Sequence, residues 1–317
     1  MSGADVQAVG VDVGGTKTAA LRITEDGAIL ERASLPTPAD DMAATLDTMI
    51  DAVRSVLTPE VVAVGISAAG LVDAEGGTLR FAPNLAWRDA RLVQCIVDET
   101  RLPATADNDN TAAAWGELRL GAARGHTDVL LVGVGTGIGG GIVVGGRLLR
   151  GAHGFAGEVG HVVVEPDGEP CGCGNRGCWE TVASGRTILR DGRRAVTRHA
   201  HSLLAEMAGG DQDRVTGEMV SEAARAGDPT ATGILMEVGH RLGEGIAGLV
   251  NVLDPEIVVV GGGASGAGEL LLEPARAAFR TTVEGEAHRP HVPIVAARLG
   301  NDAGGVGAAL LALEALS

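Results

Sequence analysis

Hydrophobic positions follow two rhythms along this chain, and the switches between them mark its elements. The opening segment VQAVGVDVGGTKTAALRITEDGAILERASLP gives an apolar run at VGVDV, a turn at GGTK, a second run at TAALRI, a turn at EDG and a third run at AILERASL. Short runs bounded by glycine and acidic turns predict three strands. DDMAATLDTMIDAVRSVL then carries apolar residues at helical spacing, after a proline and two aspartates, and predicts an amphipathic helix. VVAVGISAAG predicts a buried strand ending in small residues. RDARLVQCIVDETRL predicts a helix, ATADND a strand and its end, and TAAAWGELRLGAAR a further helix.

The opening rhythm recurs in VLLVGVGTGIGGGIVVGGRLLRG, where VGVGTGIGGGI lies over VDVGGTKTAAL as a faint internal repeat. A long helical region follows from Ser184 to Leu253. The chain closes with strand, glycine turn and helix in EIVVVGGGASGAGELLLEPARAAFRTTV, a strand in VPIVAARLG and a helix in AGGVGAALLALEAL. Strand triplets alternating with helices predict the α/β class, as two similar lobes with one glycine turn each. Residues 209–218, GGDQDRVTGE, read as a mobile loop. Val129 to Gly146 holds no charge over 18 residues, but eight of them are glycine, so buried strands are expected there rather than a membrane span.

Composition narrows the classes of function. A chain of 317 residues, 45% hydrophobic and 21% charged, is long enough for one large domain or two ordinary ones with a proper core. Aromatics make up 2% and tyrosine is absent, so that core must be Val, Leu, Ile and Ala. A net charge of −16 argues against nucleic acid or an anionic membrane as partner. MSGADVQAVG has no basic region leading into an apolar core, so no signal peptide is expected. The expected setting is cytoplasmic, where disulfides are rare.

That setting bears on residues 160–180, GHVVVEPDGEPCGCGNRGCWE, which hold three of the four cysteines. His161, Cys171, Cys173 and Cys178 give the spacing H-x9-C-x-C-x4-C. Three thiolates and an imidazole form a closed four-coordinate set suited to structural Zn2+. Gly172, Gly174 and Gly177 let the loop fold tightly. A redox pair would use C-x-x-C at a helix start, and three reduced thiols in a glycine loop is the plainer alternative. Cys95 sits in a helical pattern and reads as core packing.

Other motifs concern phosphate. DVGGTK places Asp12, Gly14, Gly15, Thr16 and Lys17 at a strand end. Backbone N–H groups of such a turn can donate to phosphate oxygens, and Asp12 can hold water on Mg2+. It is not a Walker A loop, since a strand follows it. Thr136 and Gly137 form the second turn, making a two-jawed phosphate clamp. Gly135, Gly137 and Gly140 match G-x-G-x-x-G but lack the following helix. Gly261, Gly263 and Gly266 match it with a helix following, yet no acid ends the next strand, so a nucleotide resting on the turn explains them as well as a nicotinamide does. ADNDNTAAAWGE puts Asp107, Asn108, Asp109 and Asn110 between strand and helix. One helix cap needs one such residue, and a carboxylate there can act as a general base. Glu158 and Glu180 flank the cysteine loop, an array suited to hydrogen-bonding a polyol.

With DVGGTK, GISAAGLVD, FAPNLAW, DNDNTAAAWGE, GTGIGGG, GEVGH, CGCGNRGCWE, NVLDPEIVVVGGG and LGNDAGGVGAA, the chain resembles the ROK family of sugar kinases from residue 10 to about 309. The resemblance implies an actin-like ATPase (ribonuclease H-like) fold, with two lobes of mixed sheet flanked by helices and a cleft between them. The lobes are expected at 1–115 and 116–317, the C-terminal helix returning to the first. It implies transfer of the ATP γ-phosphoryl group to the 6-hydroxyl of glucose, giving glucose 6-phosphate and ADP. Asp109 is implied as catalytic base, and Asn84, Asn108, Asp109, Glu158, His161 and Glu180 as sugar contacts. Asp12, Gly14, Gly15, Thr16, Lys17, Thr136, Gly137, Gly261, Gly262 and Gly263 are implied for ATP and Mg2+, and His161, Cys171, Cys173 and Cys178 for structural Zn2+. Dimers or tetramers are usual in the family.

Two positions depart from the family pattern: Asp107 stands where Glu is usual, and Thr111 where Asn is usual. Both loosen the choice of glucose over another hexose, such as N-acetylmannosamine or fructose. A sugar-responsive repressor, also known in the family, would need an N-terminal helix-turn-helix, for which the first strand near residue 6 leaves no room. A polyphosphate-dependent kinase and a nicotinamide oxidoreductase are further alternatives, the first opposed by the zinc loop.

Overall fold

The computed structural model describes residues 6–74, 77–82 and 86–316. The three opening strands form as the pattern predicts: β1 (Gln7–Val13), β2 (Lys17–Thr24) and β3 (Ile29–Pro36). The helix α1 (Met42–Val56) is capped by Asp41, whose carboxylate accepts from the amides of Ala43 and Ala44. The buried strand β4 (Val61–Ala68) leads into a small antiparallel sheet of β5 (Leu71–Val72), β6 (Thr78–Phe81) and β7 (Arg88–Arg91). This sheet was not visible in the pattern. RDAR, read as the start of a helix, is β7, and the helix α2 (Leu92–Thr100) begins where the apolar spacing does. Cys95 is half-buried on α2 and packs against the core.

β8 (Ala104–Asn108) completes a five-stranded mixed sheet of order β3-β2-β1-β4-β8 and runs into α3 (Asp109–Leu120). Pairing is antiparallel from β3 to β1 and parallel from β1 to β8. The two-residue alternation of a strand gives this sheet two distinct faces. Val9, Val11, Val13, Val64 and Ile66 are buried with Met49 and Val53 of α1 in one aliphatic core.

The uncharged glycine-rich stretch forms β9 (Val129–Val134) and β10 (Ile138–Val144), followed by β11 (Arg147–Leu148). No helix among the described residues is long and apolar enough to cross a membrane. The helical region resolves into α4 (Glu180–Ala183), α5 (Gly185–Arg198), α6 (Leu203–Met207), α7 (Gly217–Arg225) and α8 (Pro229–Leu253). The segment read as a mobile loop holds a single 3-10 turn at Gln212–Arg214, capped by Asp211. Then come β12 (Ile257–Gly261), α9 (Glu269–Thr282) and β13 (Ile294–Ala296), and the second sheet has the order β11-β10-β9-β12-β13.

The last helix, α10 (Ala303–Glu314), packs on the other face of the first sheet, against β1 and β4, and beside α3. The approach is backbone to backbone. A Cβ at Gly65 would fall on the carbonyl of Ala308, and one at Gly307 on the carbonyl of Ala112. A single added methyl in such a contact costs roughly 1–3 kcal/mol. Glu117, fully buried on α3, accepts from the amides of Ala122 (2.6 Å) and Leu299 (2.7 Å), fixing the approach to α10. The chain divides into two compact units, one of residues 1–131, 141–157 and 297–317, the other of 132–140 and 158–296.

Candidate active site and metal centre

In the first unit the chemistry gathers at strand ends, on the sheet face that meets α10. Asp12, next to last in β1, accepts a hydrogen bond from Ser67 Oγ of β4. Gly304, in the first turn of α10, lies so near both that a Cβ there would stand 3.0 Å from the Asp12 carboxylate. Burial pushes the Asp12 carboxyl up to about 6; the Ser67 bond and Lys17 oppose that shift, and Asp109 adds to it. The turn after β1 closes by Gly14 N–H donating to Lys17 O at 3.0 Å. Gly14 and Gly15 are partly buried, while Thr16 and Lys17 are exposed. This open turn, with free-standing hydroxyl and ammonium, suits a phosphate group.

The four polar residues at the end of β8 separate into distinct roles. Asp107 is buried and accepts from Arg150 Nε (2.8 Å) and Nη2 (2.7 Å). Asn108 is the helix cap: its Oδ1 accepts from Asn110 N (2.9 Å) and Thr111 N (3.2 Å), and its Nδ2 donates to Gly70 O (3.1 Å). Asp109 opens α3, and its Oδ1 accepts from Asn110 N (2.9 Å) and Asn110 Nδ2 (3.0 Å). Partial burial raises the Asp109 carboxyl above its ordinary range, against those hydrogen bonds. The cap is thus supplied by Asn108, and Asp109 is not needed for it.

In the second unit, the cysteine loop is a short hairpin. Val163 pairs with Cys178 and Pro170 with Arg176, while Cys171 N–H donates to Asn175 O at 2.8 Å. Trp179 anchors it: the buried indole donates to Arg241 O of α8 at 3.0 Å. The ligand atoms of His161, Cys171, Cys173 and Cys178 all lie within 4.8 Å of one another. Cys173 Sγ and Cys178 Sγ are 3.7 Å apart, and His161 Nδ1 is 3.6 Å from Cys171 Sγ. A tetrahedral zinc with ordinary Zn–S and Zn–N bonds requires about 3.8 Å between sulfurs and about 3.6 Å between sulfur and nitrogen. The donor set therefore fits zinc, with Nδ1 of His161 as the ligand nitrogen.

The other histidine nitrogen, Nε2, is 3.7 Å from Glu158 Oε2. Glu180 Oε1 is 3.0 Å from Cys171 Sγ and 3.9 Å from His161 Nδ1. Its Oε2 accepts from Ile138 N at 3.4 Å, at the end of the second glycine turn. That turn is closed by Gly135 N–H to Gly137 O (3.0 Å) and held from the segment after the cysteine loop by Gly185 N–H to Gly135 O (2.8 Å) and Arg186 N–H to Thr136 O (3.3 Å). Thr136 is exposed and Gly137 partly buried. Gly261 ends β12, and the exposed Gly262 and Gly263 lead into a 3-10 turn (Gly263–Ala267), so α9 begins only at Glu269. Asn84 lies outside the described residues. Ser67, Glu117 and Arg150 escaped the sequence reading, because each acts on a partner far away along the chain.

Mixed sheets flanked by helices, with glycine turns and carboxylates at strand ends, are the parts of a phosphotransferase of the actin-like ATPase fold. Residues 8–315 match the ROK family, and the chain belongs to that family. It is 42% identical over 314 residues to the glucokinase of Streptomyces coelicolor, covering 96% of this chain and 97% of that protein. It is 37% identical over 305 residues to the N-acetylmannosamine kinase of Escherichia coli O157:H7, covering 95% and 97%. Its fold matches the crystal structure of a ROK family glucokinase from Streptomyces griseus in complex with glucose and AMPPNP, with a TM-score of 0.91 and 44% identity over 97% of this chain and 99% of that one.

Proposed function

We propose that this chain is an ATP-dependent glucokinase, transferring the γ-phosphoryl group of ATP to the 6-hydroxyl of glucose. The observation that carries this reading is the likeness, over nearly the full length, to the Streptomyces griseus enzyme, whose structure holds glucose and an ATP analogue. The likeness to an N-acetylmannosamine kinase keeps that sugar as the second reading.

Phosphoryl transfer asks for positioning and charge neutralisation more than for covalent chemistry. Asp109 accepts the proton of the attacking hydroxyl, and its raised affinity for protons suits a base that works late in the transfer. Asn108, Glu158, His161 and Glu180 bind sugar hydroxyls, as Asn84 is proposed to do. His161 can serve both roles assigned to it, since Nδ1 faces the thiolates and Nε2 faces Glu158. The turns at Gly14–Lys17 and Thr136–Gly137, with Gly261–Gly263, bind the nucleotide. Asp12 would hold Mg2+, which when bound would neutralise phosphate charge. The cysteine loop holds Zn2+ in a structural role, because four protein ligands leave no open position. The proposed assembly is a homodimer or homotetramer.

The test is a panel of hexoses with ATP and Mg2+, read by ADP release. Glucose as the best acceptor is expected. Preference for N-acetylmannosamine or fructose moves the assignment to the corresponding kinase, and release with no sugar dependence sinks it.

A further inference from the structure

Arg150 lies in GGRLLRGAHG, a stretch without a recognisable motif, yet its guanidinium serves a buried carboxylate beside the proposed catalytic base. Nε and Nη2 both donate to Asp107 Oδ2, at 2.8 and 2.7 Å. The other oxygen, Oδ1, accepts from the amide of Asn108 at 3.1 Å. Asn108 in turn caps α3, whose first residue is Asp109. A continuous series of bonds thus runs from Arg150 through Asp107 and Asn108 to the backbone that aims Asp109.

The arginine is itself held in place. Its carbonyl accepts from Ala156 N at 3.0 Å, and the same loop is tied to the small sheet by Ala74 N–H donating to His153 O at 3.2 Å. An exposed ion pair contributes little, because water screens both partners. Here only the arginine side chain is substantially exposed, at 39%; that of Asp107 is 10% exposed. Removing the cation leaves a buried carboxylate without its partner, which is the costly case. The strand end can relieve that only by turning Asp107 toward water or by protonating it. Either change disturbs the acceptor that fixes the Asn108 peptide. A cavity of about 330 Å³, lined by Asp107, Arg150, Asp73, Thr105 and Gly154, gives the side chain room to turn.

We propose that Arg150 is a positioning residue for phosphoryl transfer, acting through Asp107 to hold Asn108 and Asp109 in their working geometry. The proposal rests on the kinase reading for its kinetic consequence but not for its structural one. Small misplacements of a reacting group cost up to about a hundredfold in rate. Arg150→Ala in the full-length enzyme is therefore expected to lower kcat about tenfold to a hundredfold, with KM for ATP unchanged and the protein folded at the assay temperature by circular dichroism. Arg150→Lys keeps the charge and should recover part of the loss; Arg150→Gln should not. In an Asp107→Asn background, Arg150→Ala should change nothing further, since the pathway is already cut.

Amide hydrogen exchange across residues 104–115 reads the same coupling without substrate. Faster exchange in Arg150→Ala is expected, and Arg150→Gln takes its place if that variant does not fold. Unchanged exchange, or an equal kinetic loss in the Asp107→Asn background, overturns the proposal. Wild-type protein that phosphorylates no hexose counts against the kinase reading instead, and the exchange result then decides this one.

Discussion

Glu180 stands where a side chain at Gly137 would have to go. Its Oε2 lies inside contact distance of a Cβ built on Gly137, and the neighbouring Ile138 amide donates to the same oxygen at 3.4 Å. The other carboxylate oxygen lies 3.0 Å from Cys171 Sγ. One side chain therefore touches both the cysteine loop and the proposed phosphate turn. From the sequence, a side chain at Gly137 is expected to intrude on phosphate and to raise KM for ATP far more than KM for glucose. The structure changes that expectation. Gly137→Val must displace Glu180, so KM should rise for glucose as well as for ATP. Steady-state kinetics with each substrate varied in turn checks this, and a rise confined to ATP would separate Glu180 from the sugar.

Asp109→Asn removes the proposed base while leaving the helix cap with Asn108. The variant should fold with unchanged thermal stability, bind glucose, and lose about 10²–10⁴-fold in kcat. Wild-type turnover would leave Asp109 a residue of the helix start and nothing more. Isothermal titration of glucose into the variant shows whether binding survives.

What the sequence revealed, and what it hid, follows from how far apart the cooperating residues lie. The strands of the first sheet were legible because each carries its own apolar run. The zinc ligands were legible because they fall within eighteen residues, and thiols are rare elsewhere in the chain. β7 was misread because RDAR borders a helix and has too few apolar residues to declare a period. The Asp107–Arg150 pair spans 43 positions and the bond from Leu299 N to Glu117 spans 182, so neither leaves a local pattern. A signal was still present for the first: a carboxylate beside another at a buried strand end calls for a cation, and Arg147 and Arg150 are the first cations after the uncharged glycine-rich stretch. The fit of Gly65 against α10, and of Gly307 on α10 against α3, could not be read at all, since closeness between backbones has no composition of its own.

Asp12 gives a dependence on pH with a definite sign. Its carboxyl is pushed up to about 6, above an ordinary value of 3.8, chiefly by burial. The folded protein therefore binds this proton more tightly than the unfolded chain does. That contribution to stability is present below pH 3.8 and is lost as pH rises through about 6. Urea unfolding of the metal-free protein across that window should show the loss, and Asp12→Asn should flatten it. The proposed role in catalysis runs the other way, because holding Mg2+ would need the ionised carboxylate. Use of ATP should weaken as pH falls below about 6, and higher Mg2+ should move that midpoint to lower pH. A midpoint indifferent to Mg2+ would remove Asp12 from the metal.

The proposed zinc would connect the cysteine loop to the proposed sugar contacts in the second unit. The Cys173–Cys178 sulfur separation and the Cys171–His161 separation match a tetrahedral ion, and all four ligand atoms lie within 4.8 Å of one another, so metal analysis should find about one zinc per chain. His161 presents its second nitrogen to Glu158, and a metal bond through Nδ1 would set that ring's orientation. Glu180 leans on Cys171 and on Ile138 together. Cys173→Ala, or prolonged chelation, should therefore lower the melting temperature and raise KM for glucose most. KM for ATP should rise by a smaller factor, passed on through Glu180 to the glycine turn. The turn keeps its own bonds from Gly185 and Arg186, which is why the effect on ATP should be the lesser. Zinc-free protein with unchanged KM for glucose would show that the metal and the sugar site are independent. A loss equal for both substrates would show that the loop supports the unit as a whole rather than the sugar contacts.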